Sequence, residues 1–106
     1  LEFAVRIVNL YKFLVNEQKE FVMSKQILRS GTSIGANIRE AEQAQSRADF
    51  INKLNIALKE ANETEYWLEL LIRTEYITRE QYESINNDST EINKLLISII
   101  KTTKNN

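Results

Sequence analysis

The chain contains no cysteine, no histidine and no proline, and only two glycines among its 106 residues. Each absence closes off a class of function. Without cysteine there is no disulfide framework, no thiolate zinc site and no thiol nucleophile. Without histidine the commonest general base and the commonest metal ligand are gone, and no Ser-His-Asp triad can be assembled. Without proline, and with glycine so scarce, the chain lacks the turn residues that an all-β sandwich or barrel needs about every 8–12 positions. No apolar run approaches the roughly 18 residues of a membrane span. No signal-peptide pattern opens the chain, so the cytoplasm is the expected location. Leu1 in place of methionine leads us to expect native residues ahead of it.

What is present is helical. Hydrophobic residues make up 42% of the chain and charged residues 27%, the balance of a globular domain. The length allows one domain, residues 1–106, with a single modest core. The net charge of −1 gives no whole-molecule attraction for a polyanion. The charge is uneven, however. Residues 1–59 hold nine Lys and Arg against six Asp and Glu, or +3, and residues 60–106 hold five against nine, or −4.

Apolar residues recur at helical spacing in four segments, which predict helices at about 1–17, 24–44, 47–75 and 79–102. In the first, Ile7, Leu10 and Leu14 run with Phe3 beside a second stripe of Leu1, Val5, Val8, Tyr11 and Val15. Together they predict a wide apolar face packed against two neighbours. Asn16–Glu20 reads as a connection. Ser24 is the expected N-cap of the second helix, which carries Ile27, Leu28, Ile34, Ile38 and Ala41. Inside it, Ser30-Gly31-Thr32-Ser33-Ile34-Gly35-Ala36-Asn37 is a run of small residues. It predicts either a break or, as we prefer, a close approach of another backbone at Gly31 and Gly35. Ser46-Arg47-Ala48-Asp49 and Thr78-Arg79-Glu80-Gln81 read as capping boxes opening the third and fourth helices. The third carries Ala48, Ile51, Leu54, Ala57, Leu58, Ala61, Leu68 and Leu71. The fourth carries Tyr82, Ile85, Ser89, Ile92, Leu96 and Ile99, and its tail from Thr102 to Asn106 is expected to fray. Short connections make the expected fold class all-α, an antiparallel up-down-up-down four-helix bundle.

Little here carries bond-making chemistry. Gly31-Thr32-Ser33-Ile34-Gly35 lacks the Gly-Lys-Ser/Thr ending of a phosphate-binding loop and follows no strand. Glu40, Glu60 and Glu63 resemble half of a carboxylate-bridged metal site, but the Glu-x-x-His pattern of such bundles cannot be completed without histidine. An ion pair such as Lys59 with Glu63 is the plainer expectation. No metal, cofactor or small-molecule substrate is expected, and the chain does not read as an enzyme. Ser33, Asn37 and Glu40 fall on one helix face and predict a polar seam between helices or subunits. Tyr66 and Trp67 point about 100° apart, so one is expected in the core and the other against a neighbour, with Trp67 the candidate interface anchor. The candidate nucleic-acid contacts are Lys25, Arg29, Arg39, Arg47, Lys53 and Lys59. In a monomer they are scattered; a symmetric oligomer would multiply them around an axis.

The stretch Ile27–Ala41, with Ser33-Ile34-x-x-Asn37-Ile38-x-Glu40 at its centre, carries a family resemblance. So do Ser46-x-x-Asp49-Phe50, then Lys53-Leu54-x-Ile56-Ala57-Leu58-Lys59-Glu60-Ala61 and Glu63-Thr64. The chain resembles the bacterial four-helix bundle proteins encoded in intervening sequences of 23S ribosomal RNA genes. That family is in turn similar to the accessory variability determinant of diversity-generating retroelements, a barrel-like homopentamer with a basic surface. The resemblance implies a left-handed bundle, a homopentamer, no catalysis, and a structured RNA or a nucleic-acid-protein complex as partner. A protein-protein interaction module with no nucleic-acid contact is the alternative. The net charge of −1 departs from the strongly basic retroelement branch.

Overall fold

The computed structural model describes residues 1–105. They form four helices: α1 (Glu2–Asn16), α2 (Met23–Glu42), α3 (Arg47–Arg73) and α4 (Arg79–Lys104). The molecule measures 47 × 20 × 19 Å. At 1.5 Å per residue the 27 residues of α3 need about 40 Å, so the helices lie along the long axis and the short connections fold each back on the last. This is the expected four-helix bundle. α2 and α3 share the largest interface, and α1 and α4 touch least.

The helix starts follow local chemistry, with one correction. Ser24 does not cap α2. The helix opens at Met23, and Glu20, four residues before Ser24, takes over the cap. The Glu20 carboxylate accepts from the backbone N–H groups of Val22 and Met23 at 3.1 Å each and of Ser24 at 2.7 Å. A charged acceptor with two oxygens satisfies three orphan donors where a serine hydroxyl satisfies one. Ser24 is buried instead, its Oγ without a hydrogen-bond partner among the described residues. At α3, Ser46 Oγ accepts from Asp49 N at 3.0 Å, but the Asp49 carboxylate accepts from Gln45 N rather than from Ser46 N. The box closes one residue early. At α4 the reciprocal box is complete: Thr78 Oγ1 accepts from Gln81 N at 3.1 Å and Gln81 Oε1 from Thr78 N at 2.8 Å.

α3 stops at Arg73, short of the expected 75, because Glu75 takes a left-handed φ of 66°. Tyr76 N–H then bonds Leu71 C=O at 3.0 Å and Glu75 N–H bonds Ile72 C=O at 3.1 Å. This is the doubled bond pattern that closes a helix with a left-handed residue. α2 stops at Glu42, two residues before the expected end, and α4 continues through Lys104 instead of fraying from Thr102. Asn106, the last of the expected tail, lies outside the described residues.

The core has two parts. One joins Ile7, Leu10 and Leu14 of α1 to Ile27, Leu68, Leu71, Ile77 and Ile85. The other is built from Ile34, Ala41, Leu54, Ala57, Ala61, Leu96 and Ile100, all on α2, α3 and α4, with Phe3 of α1 only at its margin. α1, at 15 residues, is too short to line the whole bundle. Its second predicted stripe is not core: Leu1 is 87% and Val5 52% exposed, and Val8, Tyr11 and Val15 are half-buried.

Helix α2 is unbroken through its small residues. Gly31 is a close approach, but of a side chain and not of the expected backbone: a Cβ there would sit 2.8 Å from both Cγ1 and Cγ2 of Ile7. Gly35 is not, since a Cβ there would meet nothing within 4 Å. Within the chain, the predicted polar seam does not join helices. Ser33 Oγ donates to Arg29 O and Asn37 Nδ2 to Ser33 O, both inside α2, and Glu40 is exposed. The buried polar contact between helices is Ser30 with Thr64, whose hydroxyls hydrogen-bond at 3.0 Å.

Candidate nucleic-acid interface

Helical register sets where the cations lie. Lys25, Arg29 and Arg39 sit on the outward side of α2, and Arg47, Lys53 and Lys59 on α3. Arg29 is committed to the protein itself. Its guanidinium pairs with Glu60 at 3.1 Å and closely with Glu63, and Trp67 Nε1 donates to the same Glu63 Oε2 at 3.4 Å. Desolvation alone would lower the Arg29 pKa. The negative charge of Glu60 and the hydrogen bond that Arg29 donates to Glu63 outweigh it, and the guanidinium is held above its ordinary value. This corrects the expected Lys59–Glu63 pair, because the fork of an arginine satisfies two carboxylates at once. Lys53 Nζ lies 4.0 Å from Glu40 Oε1. Lys25, Arg39, Arg47 and Lys59 are exposed and have no carboxylate within 4.0 Å among the described residues.

The structure brings some of these residues together. Arg39, Glu40 and Lys53 line one shallow depression with Gln43 and Asp49. Arg39 and Glu40 also close the end of a groove of about 450 Å3 between α1 and α2, walled by Leu1, Ala4, Thr32, Gly35 and Ala36. Arg47, at the first position of α3, and Lys59, more than three turns on, line neither depression. Glu40 pairs with Lys53 while Glu60 and Glu63 pair with Arg29, and no three acidic side chains converge as a ligand set among the described residues. Trp67 is half-buried against the first core cluster, and its edge meets the ring of Tyr66, centroids 4.9 Å apart at 75°. Tyr66 is the outward ring, 58% exposed.

Two features were not read from the sequence. Arg6 reaches from α1 to α4, donating to Ser84 Oγ at 2.7 Å and Asp88 Oδ2 at 2.5 Å across an open groove of about 610 Å3. Glu20, inside the expected polar connection, is 7% exposed. Its spacing ahead of Ser24 was the available signal. No helix is long and apolar enough to cross a membrane among the described residues.

Fold and surface together define a small four-helix bundle whose charged candidates lie on outer helix faces rather than in a central cavity. The profile of the family described as 23S rRNA-intervening sequence protein matches residues 1–98, and the chain belongs to that family. It is 98% identical to a solved structure described as a protein with unknown function from the S23 ribosomal protein family from Bacteroides thetaiotaomicron VPI-5482. That match covers 94% of this chain and 86% of the other, with a TM-score of 0.91. No curated protein matches the chain.

Proposed function

We propose that the protein is a non-catalytic, cytoplasmic helical bundle that self-associates and binds structured RNA or a nucleic-acid-protein complex. The observation that carries this reading is the division among its six candidate cations. Arg29 is held by two acids of the bundle and Lys53 lies 4.0 Å from Glu40, whereas Lys25, Arg39, Arg47 and Lys59 are exposed and unpaired among the described residues. An unpaired exposed cation is available to a phosphate without first breaking an ion pair. The tie between the family and 23S rRNA intervening sequences supports RNA as the polyanion. Four cations on one chain are a weak field, so the reading needs several copies, a homopentamer by family resemblance.

One observation favours the alternative, a protein-interaction module. The α1–α2 groove has apolar walls, Leu1 and Val5 are exposed beside it, and Gly35 serves no close packing within the chain. A native mass spectrum of the protein with a structured ribosomal RNA fragment at low salt separates the two. A mass near five chains plus RNA is the expected result. Five chains without RNA favours the protein partner, and a bare monomer overturns the assembly on which the RNA reading depends.

A further inference from the structure

The outer face of α3 carries amides, an aromatic ring and cations in one line. Asn52, Asn55, Lys59, Asn62 and Tyr66 follow at intervals of three or four, and Arg73 lies two turns further on. All are exposed except Asn55, which is half-buried. Such spacing keeps them on one side of the helix over about 30 Å. Amides offer paired donors and acceptors, tyrosine a flat ring, and lysine and arginine charge. Those are the groups that read an unstacked nucleotide.

Three details place the ring at the centre of this face. Tyr66 is 58% exposed, and the edge-on packing of Trp67 at 4.9 Å restrains it. Beside it lies a depression of about 220 Å3 lined by Tyr66, Glu69, Leu70 and Arg73, with an apolar side chain between two charged ones. Of the neighbouring carboxylates, Glu63 pairs with Arg29 and Glu69 with Arg73 at 2.7 Å, while Glu65 turns towards α4 and accepts from Ser89 Oγ and Asn93 Nδ2 at 3.4 Å each. Lys59 has no carboxylate within 4.0 Å among the described residues, so its charge is available to a phosphate. Asn62 Oδ1 accepts from Asn93 Nδ2 at 3.0 Å, which leaves the Asn62 amide hydrogens without an acceptor among the described residues.

We propose that the α3 face is the surface that receives an unpaired RNA nucleotide, its base stacked on Tyr66 and the adjoining phosphate near Lys59. The proposal rests on the RNA reading above and names the part of the RNA recognised: a loop or bulge, not a continuous duplex.

The probes are an RNA hairpin with an unpaired loop and a blunt duplex of the same stem, titrated at low salt. Trp67 is the single tryptophan and touches Tyr66, so its fluorescence reports on stacking. The hairpin is expected to bind more tightly than the duplex and to change Trp67 emission. Tyr66→Ala should weaken hairpin binding by roughly 10-fold or more while Tyr66→Phe retains it. Unchanged far-UV circular dichroism and melting temperature of both variants establish that the bundle is intact. Equal binding of hairpin and duplex, with Tyr66→Ala unaffected, overturns this proposal and leaves the RNA reading standing. Binding of neither RNA by the wild-type protein overturns both.

Discussion

The hydroxyls of Ser30 and Thr64 meet at 3.0 Å between α2 and α3, both wholly shielded from solvent. They join the two helices with the largest interface in the bundle. Thr64 Oγ1 also lies 2.8 Å from Glu60 O, whereas Ser30 Oγ has only a long contact of 3.5 Å to Ile27 O. Thr64→Val therefore strands the serine. Its expected cost is about 1–3 kcal/mol, with Ser30→Ala milder and the double substitution less costly than the sum. Urea denaturation of the four proteins measures the coupling; strict additivity would show that the two hydroxyls act independently.

The two glycines should respond in opposite directions. Gly31→Ala drives a methyl into Ile7 and is expected to destabilise by about 1–3 kcal/mol. Gly35→Ala meets nothing within the chain and gains helix propensity, roughly 0.5–1 kcal/mol of stabilisation. Thermal melts at two protein concentrations decide this. A loss at Gly35 that deepens on dilution would mean that the site packs against another copy.

Glu20 carries the start of α2. Glu20→Ala removes the acceptor of three backbone N–H groups and should cost about 1–2 kcal/mol. Hydrogen exchange of the Val22, Met23 and Ser24 amides should quicken more than that of the α2 centre. Uniform acceleration along α2 would instead indicate global destabilisation without a local cap.

Among the cations, occupancy separates structural from binding roles. Lys25→Gln with Arg39→Gln should weaken RNA binding and flatten the slope of log affinity against log salt by about two. Arg29→Gln should leave that slope nearly unchanged, because Glu60 and Glu63 already neutralise the guanidinium. Half-exposed as Arg29 is, its loss should cost under about 1 kcal/mol of stability, less in high salt. A raised pKa makes that contribution complete below the ordinary arginine value and lost only as pH rises past the folded one. Arginine titration should therefore add no pH dependence to stability across about pH 6–10. A steep salt-slope change in Arg29→Gln would return Arg29 to the RNA contacts.

Local chemistry was the legible part of this fold. The box at Thr78 and Gln81 lies within four residues, and the apolar stripes of α3 and α4 repeat over more than four turns each, so both can be read along the chain. Contacts between helices cannot. Arg29 and Glu60 are 31 residues apart, and Ser30 and Thr64 are 34 apart. Their pairing depends on how α2 and α3 are offset, which no periodicity records. The Glu20 cap was missed for a different reason: serine is the commoner cap residue, and the preference concealed a carboxylate in reach of three donors. Gly35 looked equivalent to Gly31 because both lie on α2 one turn apart. Only the position of Ile7 on α1 distinguishes them.

The thin contact between α1 and α4 has a consequence for biosynthesis. Each of the three extensive interfaces joins helices adjacent in the chain, so every hairpin can complete as soon as its second helix leaves the ribosome. Such local topology folds in microseconds to milliseconds, far faster than translation. α1 alone must wait for a distant partner. At about 5–20 residues per second, the 26 residues of α4 take roughly 1–5 s to emerge. Throughout that interval the side of α1 that faces α4, with Leu10 and Phe13 along it, lacks its last partner, until Arg6 reaches Asp88 and the bundle closes.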